Sequence, residues 1–364
     1  HPVSSPDRAF SYLRGWPGIA LCSTFANKAP LMSEKFPILV TGGAGYIGSH
    51  AVLALRDAGW PVVVIDNLVT GFRWAVPEGV GFVEADIGDA DAVSAALTAH
   101  RIGAIMHFAG SVVVPESVEN PLKYYRNNTA NSRTLLEAAV TCGVRHFIFS
   151  STAATYGIAE TVPVREDSPK RPINPYGMSK LMTEFMLADV AAAHPINYCA
   201  LRYFNVAGAD PQQRTGQSTA GATHLIKVAV EAATGKRDHV TIFGTDFATP
   251  DGTGVRDYIH VSDLAAAHVH ALEKLIADPA SSHTMNCGYG KGFSVSEVLD
   301  AVDRATNLKI ERRFEGRRAG DPDALIADNS KILATLPWRP QRDNLDQMVQ
   351  DALAWERVLA ERGK

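Results

Sequence analysis

A phenol and an ammonium stand four residues apart in the stretch Asn174-Pro-Tyr-Gly-Met-Ser-Lys180. If that stretch is helical, Tyr176 and Lys180 share one face. A cation beside a phenol favours the phenolate, so Tyr176 could act as a base below its free pKa of about 10. Upstream, Ser151-Thr-Ala-Ala-Thr-Tyr-Gly157 offers small hydroxyls, Thr152 among them. A hydroxyl, a tyrosine and a lysine around a nicotinamide could move a proton and a hydride together. The hydroxyl would orient a substrate alcohol, the phenolate would take its proton, and the lysine would sustain the phenolate and bind ribose. Taken alone, the Tyr-x-x-x-Lys spacing fits equally a tyrosine packed on an aliphatic lysine stem.

A nicotinamide needs a place to bind, and the chain supplies one near its start. Gly43, Gly45 and Gly48 satisfy G-x-G-x-x-G directly after the β-rich run Ile38-Leu-Val-Thr41, and a helical stretch over 49–58 follows, ended by Gly59. Small residues at such a turn, Gly42 included, let backbone amides and a helix N-terminus approach a pyrophosphate. The unit closes with Pro61-Val-Val-Val-Ile-Asp66, completing one strand–helix–strand crossover. Asp66, about 20 residues beyond the glycines, stands where an acid binds a ribose 2′-hydroxyl and repels a 2′-phosphate, which favours NAD over NADP. A tight strand-to-helix turn without a ligand is the plain alternative.

The elements that must position these groups repeat the same order. Buried strands are expected over 81–85, 104–108, 146–150 and 198–203, separated by helical stretches, one of them beginning near Asp89. Continuous apolar strands alternating with helices indicate an α/β fold, a doubly wound parallel Rossmann sheet covered on both faces. Asp86-Ile87, Phe108-Ala-Gly110 and Ser150 then fall at strand C-terminal ends, where such sheets bind ligands. Asp86 fits an adenine-side contact and, equally, a helix N-cap.

The 364 residues, 46% hydrophobic and 20% charged, suffice for one large domain or two. A net charge of −4 without a basic run gives no footprint for nucleic acid or an anionic membrane surface. No apolar run approaches the roughly 20 residues of a membrane-spanning helix. Cys22, Cys142, Cys199 and Cys287 lie far apart, with no spacing for a metal or a disulfide framework, and fit a reducing cytoplasm. Residues 1–34 read as an extension, disordered or lightly packed, of which the first 31 are rich in Pro, Ser and Gly and Met32 looks like the natural start.

Further stretches follow in order along almost the whole chain: Thr41-Gly-Gly-Ala-Gly-Tyr-Ile-Gly-Ser-His50, Asp66-Asn-Leu68, His107-Phe-Ala-Gly110 and Pro121-Leu-Lys-Tyr-Tyr-Arg-Asn-Asn128. After Asn174 to Lys180 come Leu201-Arg-Tyr-Phe-Asn205, Ile242-Phe-Gly244, Asp251-Gly-Thr-Gly-Val-Arg-Asp-Tyr-Ile-His-Val261 and Arg317-Arg-Ala-Gly-Asp321. On these residues the chain from about Lys35 onward resembles the extended short-chain dehydrogenase/reductase family, and within it the 4-epimerases of UDP-sugars. The resemblance implies a tightly held NAD lined by Gly42, Gly45, Tyr46, Ile47, Gly48, Asp66, Asn67, Asp86, Ile87, Phe108, Ala109, Gly110, Asn127, Ser150, Tyr176, Lys180, Tyr203 and Phe204. It makes Thr152, Tyr176 and Lys180 catalytic. It assigns the UDP-sugar to Thr152, Tyr176, Asn205, His224, Leu225, Thr241, Phe243, Arg256, Arg318 and Asp321.

The implied reaction interconverts UDP-glucose and UDP-galactose: Tyr176 takes the proton of the sugar 4-hydroxyl while hydride passes from carbon 4 to NAD, and hydride returns to the other face of the 4-keto sugar. Guanidinium forks suit a diphosphate, although Arg256 and Arg318 could instead be ion-paired, and Phe243 could stack on uracil or fill a core. The implied organisation is an NAD-binding Rossmann domain over 35–205, with 256–276 returning to it, and a smaller α/β UDP-sugar domain over 206–364. A homodimer is implied, with the helices around Tyr124 and Tyr125 in its interface.

Three departures from the family pattern bear on these expectations. Ser111-Val-Val113 follows the Phe-Ala-Gly stretch where relatives often carry a lysine, and Thr223-His224 replaces an asparagine pair. Leu325 stands where relatives have a tyrosine or a smaller residue, which leaves UDP-N-acetylglucosamine, UDP-xylose and UDP-glucuronate open as alternative sugars. Ala153-Ala154 occupies the positions where a nucleotide-sugar 4,6-dehydratase carries an Asp-Glu pair, and a non-enzymatic NAD-binding regulator would not need Thr152, Tyr176 and Lys180 together.

Overall fold

The structure is a computed structural model and describes residues 35–318 and 320–362. The expected extension over 1–34 lies outside the described residues. Six strands come first in the chain: β1 (Ile38–Thr41), β2 (Val62–Asp66), β3 (Gly81–Glu84), β4 (Ala104–His107), β5 (His146–Thr152) and β6 (Asn197–Tyr203). Seven more follow: β7 (Asn205–Ala207), β8 (Val240–Phe243), β9 (Val255–His260), β10 (His283–Cys287), β11 (Gly292–Ser294), β12 (Arg312–Glu315) and β13 (Ala324–Leu325). Seven of these form one sheet in the order β10-β6-β5-β4-β1-β2-β3, parallel throughout.

Alternate residues of each strand enter different cores, so both faces of the sheet are dry. Ile38, Val40, Val62, Val64, Met106, Ile148 and Leu201 pack with helices Tyr46–Asp57 and Val261–Ala277. Leu39, Val63, Ile65, Ile105, Phe147, Phe149 and Ala200 pack on the other side, with helices Ala90–Ala99, Asn131–Thr141 and Pro175–Ala193. Two buried faces explain the near-continuous apolar strands. The α/β Rossmann expectation holds, and β10 is an addition to it, because His283, Thr284 and Asn286 interrupt the apolar run that marks the other strands.

Strand order reverses between β1 and β4, which makes the crevice beyond Thr41 and His107 the topological switch point. Beyond the large sheet, β9 pairs with β7, β11 and β13, while β8 pairs with β12. A third core gathers Val240, Ile242 and Tyr258 with helices Leu225–Ala233, Val295–Thr306 and Leu345–Arg362. No helix among the described residues is long and apolar enough to cross a membrane.

Candidate active site at the switch point

The glycine turn runs from Gly42 at the end of β1 into helix Tyr46–Asp57, starting at Tyr46 rather than Ser49. Helix and strand touch there: a Cβ on Gly48 would lie 2.1 Å from the Gly42 carbonyl oxygen. Gly45 is different, since its Cβ would meet only that same oxygen, at 3.2 Å, and its other side is open. Gly45 is also the N-cap, no side chain caps the helix, and its first turn holds no acid. Free amide donors and a positive helix end therefore face an open cradle, as a pyrophosphate requires. Asp66, at the end of β2, accepts from Ala44 N at 2.9 Å and Leu68 N at 2.8 Å. Burial raises its pKa and these two backbone bonds oppose the rise. Each of its oxygens retains a lone pair for a ribose hydroxyl. The residues present fit a dinucleotide.

Beside this turn, the loop after β4 is held from below and from the side. His107 is bonded to Thr41 Oγ1 at 2.7 Å and Ser132 Oγ at 2.8 Å, and burial, reinforced by Lys180, lowers its pKa to about 3, so it is neutral. Asn128 accepts from Ser111 N at 2.7 Å and donates to Ser111 O and Ser179 Oγ, each at 3.0 Å, while Asn127 Nδ2 donates to Ser111 Oγ at 3.1 Å. Both asparagines lie in a π-helical turn, Tyr125–Ala130, a rare form that recurs at functional sites. Ser111, first of the three residues that stand where a lysine is expected, is thus the anchor of this loop, a role with no sequence signal.

Thr152, Tyr176 and Lys180 meet at this edge. Asn174 accepts from Gly177 N at 2.9 Å and Pro175 occupies the first turn, so helix Pro175–Ala193 starts just before Tyr176. A Cβ on Gly177 would lie 2.5 Å from Ala154 O, so only glycine lets the helix approach the turn that follows Thr152. Burial raises the Tyr176 pKa, and a hydrogen bond with Thr152 opposes it. Lys180, 3% exposed, donates to Ser150 O at 3.0 Å and lies 5.0 Å over the Phe149 ring. Burial lowers its pKa to about 8. The expectation of a phenol that titrates below its ordinary value is not met in the resting site: burial dominates Tyr176, and the Lys180 ammonium is engaged by a carbonyl until a phenolate forms beside it. Tyr124, fully buried, meets Tyr176 edge-on with ring centroids 6.4 Å apart.

Other expected cofactor residues spread outward from this centre. Ser150 and Tyr203 bond through their hydroxyls, Tyr46 OH donates to Gly208 O at 2.7 Å, and Phe108 packs on His268. Asp86 accepts from Asn67, Gly88 N and Asn131, and the cap of helix Ala90–Ala99 is Asp89 instead. Ile87 is buried in the second core. Ala109 and Gly110 follow β4, and Ala109 N donates to Thr41 Oγ1 at 3.3 Å.

Of the expected substrate residues, four converge. Arg256 on β9 and Arg318 both reach Asp321, at 3.3 and 2.9 Å, and Arg318 covers the Phe243 ring at 4.8 Å. Asn205 on β7 lies opposite Tyr258 of β9, and Leu325 lies opposite Arg256 in the β9–β13 ladder and packs by Ala153, Tyr156 and Phe204. His224, which burial makes less basic, is bonded to Gln217 at 2.8 Å rather than to this group, and it precedes Leu225 at a helix start. Thr241 stays in the β8–β12 ladder, opposite Arg313.

Comparison with known proteins agrees with this geometry. Residues 38–288 match the NAD dependent epimerase/dehydratase family. A UDP-glucose 4-epimerase of Azospirillum brasilense is 57% identical over 322 residues, covering 88% of this chain and 92% of that protein. The crystal structure of a UDP-glucose 4-epimerase from Stenotrophomonas maltophila with bound NAD and formylated UDP-arabinopyranose superposes with a TM-score of 0.86 at 38% identity, covering 90% of this chain and 99% of that one. A UDP-Glc/GlcNAc 4-epimerase of Campylobacter jejuni gives 0.78 at 46% identity, covering 89% and 99%. By sequence, fold and the disposition of its switch-point residues, the chain belongs to the NAD-dependent epimerase/dehydratase family.

Proposed function

We propose that this chain interconverts UDP-glucose and UDP-galactose with a firmly held NAD. The observation that carries the reading is the meeting of Thr152, Tyr176 and Lys180 beside an uncapped glycine turn, in a chain 57% identical to a UDP-glucose 4-epimerase. Bound NAD supplies reversible oxidation at sugar carbon 4. Thr152 orients the 4-hydroxyl and Tyr176 removes its proton, then returns it when the opposite configuration forms. Lys180 supplies the cation that makes the phenolate accessible. Arg256 and Arg318 exchange Asp321 for the diphosphate, and Phe243 lies under Arg318 to take the uracil side. Ala153 and Ala154, after Thr152, offer no acid or base for dehydration.

Leu325, of intermediate size beside Ala153, neither closes the pocket as a tyrosine would nor opens it as a small residue would, so UDP-N-acetylglucosamine stays as the alternative sugar in this reading. We assign the protein to the cytoplasm, since Cys142, Cys199 and Cys287 are free thiols, and propose a homodimer through helices that leave Leu122 and Phe185 exposed. The deciding experiment incubates the purified protein with UDP-glucose, UDP-N-acetylglucosamine and UDP-xylose separately and resolves the products. UDP-galactose from UDP-glucose is expected. No epimer from any of the three overturns the reading.

A further inference from the structure

Glu184 lies one further turn beyond Lys180, on the same buried face of helix Pro175–Ala193. Its carboxylate accepts from Ser151 Oγ at 2.5 Å. Lys180 meanwhile donates to Ser150 O, and Thr152 stands next to Tyr176, whose phenol it draws down against burial. Three consecutive residues of β5 therefore each face the same helix. Arg202, directly across the β5–β6 ladder from Ser151, grips Glu184 with two parallel bonds, Nε to Oε1 at 2.9 Å and Nη2 to Oε2 at 2.5 Å. Its remaining nitrogen donates to Tyr156 OH at 2.9 Å, and Tyr156 OH donates to Asn286 Oδ1 at 2.6 Å. Glu184 is 6% exposed, Arg202 3%, and Ser151 and Tyr156 1% each.

Thr152 is thus bracketed. Ser151 precedes it and Tyr156 ends the turn that follows it, and both are bonded to the two halves of one ion pair. A buried ion pair contributes little net stability, because desolvation offsets the attraction, and an apolar pair of similar volume commonly does as well. What a bidentate pair adds is fixed direction. Proton transfer between a hydroxyl and a phenol depends on their separation to within tenths of an ångström, and a misplacement of about 1 Å can cost on the order of a hundredfold in rate.

We infer that the Glu184–Arg202 pair, acting through Ser151 and Tyr156, is a positioning device that holds Thr152 in register with Tyr176. The inference rests on the reading of Thr152, Tyr176 and Lys180 as the catalytic groups. Glu184 and Arg202 bond only protein groups, Ser151, Tyr156, the Glu166 carbonyl and each other, and act through the strand and the turn.

Ser151→Ala and Tyr156→Phe each remove one hydroxyl and leave the ion pair intact, so both variants keep the fold. In the NAD-loaded enzyme, kcat for UDP-glucose should fall about tenfold in each, with KM and NAD retention changed by less than about twofold. The acid limb of the kcat–pH profile should move to higher pH, because a displaced Thr152 no longer lowers the phenol beside it. A kcat and an acid limb that both stay at wild-type values overturn the inference. So does a loss confined to KM, NAD retention and thermal stability with the limb unmoved. Tyr176→Phe, measured alongside, separates the two levels: if it remains active the catalytic reading falls, and if it is inert while Ser151→Ala and Tyr156→Phe match wild type, only the positioning role falls.

Discussion

Burial acts in opposite directions on Tyr176 and Lys180, raising the phenol and lowering the ammonium to about 8, because the charged form of each is disfavoured away from water. A phenolate–ammonium pair escapes that penalty, since each charge stabilises the other. Lys180 then sustains a base that would otherwise be available only at high pH. Burial alone would strip this proton near pH 8 and the phenolate holds it longer, so the rate should fall as pH rises beyond that value. Lys180→Met removes the cation, and the phenol of Tyr176 titrates higher still. The acid limb of kcat should shift upward by at least about one unit, worth roughly 1.4 kcal/mol, and the fall at high pH should vanish. A pH–rate series on both proteins settles the matter, and superimposable profiles contradict the coupling.

At the scale of elements, the two glycines of the turn are predicted to behave differently. Gly48→Ala forces a methyl to within 2.1 Å of the Gly42 carbonyl, backbone that cannot yield without moving β1 against its helix. A loss of about 1–3 kcal/mol is expected from such overpacking, read as a lower thermal midpoint together with poor NAD retention. Gly45→Ala meets the same oxygen only at 3.2 Å with φ at −84°, so its thermal midpoint should stay near wild type while NAD titration weakens, because the methyl enters the cradle itself. Equal midpoints and equal NAD affinity in both variants would remove the cradle. These elements were legible in the sequence because they are local: apolar runs such as Val62–Asp66 have both faces buried, and Asn174-Pro175 announces its helix. β10 was hidden because its polar Asn286 is satisfied only by distant partners, Val164 O, Tyr156 OH and Glu166. The π-helical turn and the links of Ser111 and Ser151 escaped for the same reason, since they depend on which strand end faces which helix.

For the whole molecule, the decisive feature is where apolar surface remains after the cores have formed. Helices Val114–Glu119 and Pro121–Tyr124 pack against the helix that carries Tyr176 and Lys180. Their outer sides leave Val118 63%, Leu122 77% and Phe185 57% exposed, with Met182 beside them. Large apolar side chains this open on neighbouring helices fit an association surface. A second copy of the chain is the occupant proposed here, in a two-fold arrangement that sets the patch against itself. Tyr124 ties the patch to the site, because the same short helix turns Leu122 outward and Tyr124 inward against Tyr176. The variant Leu122→Glu/Phe185→Glu should therefore give a folded monomer by sedimentation velocity, since like charges across a two-fold axis repel and lose no core contact. Its kcat should fall several-fold as the Tyr124 side of the pocket loses support, with KM for UDP-glucose nearly unchanged, because Arg256, Arg318 and Phe243 lie on other elements. A variant that sediments as wild type refutes this interface, and a monomer with unaltered kcat detaches dimerisation from catalysis.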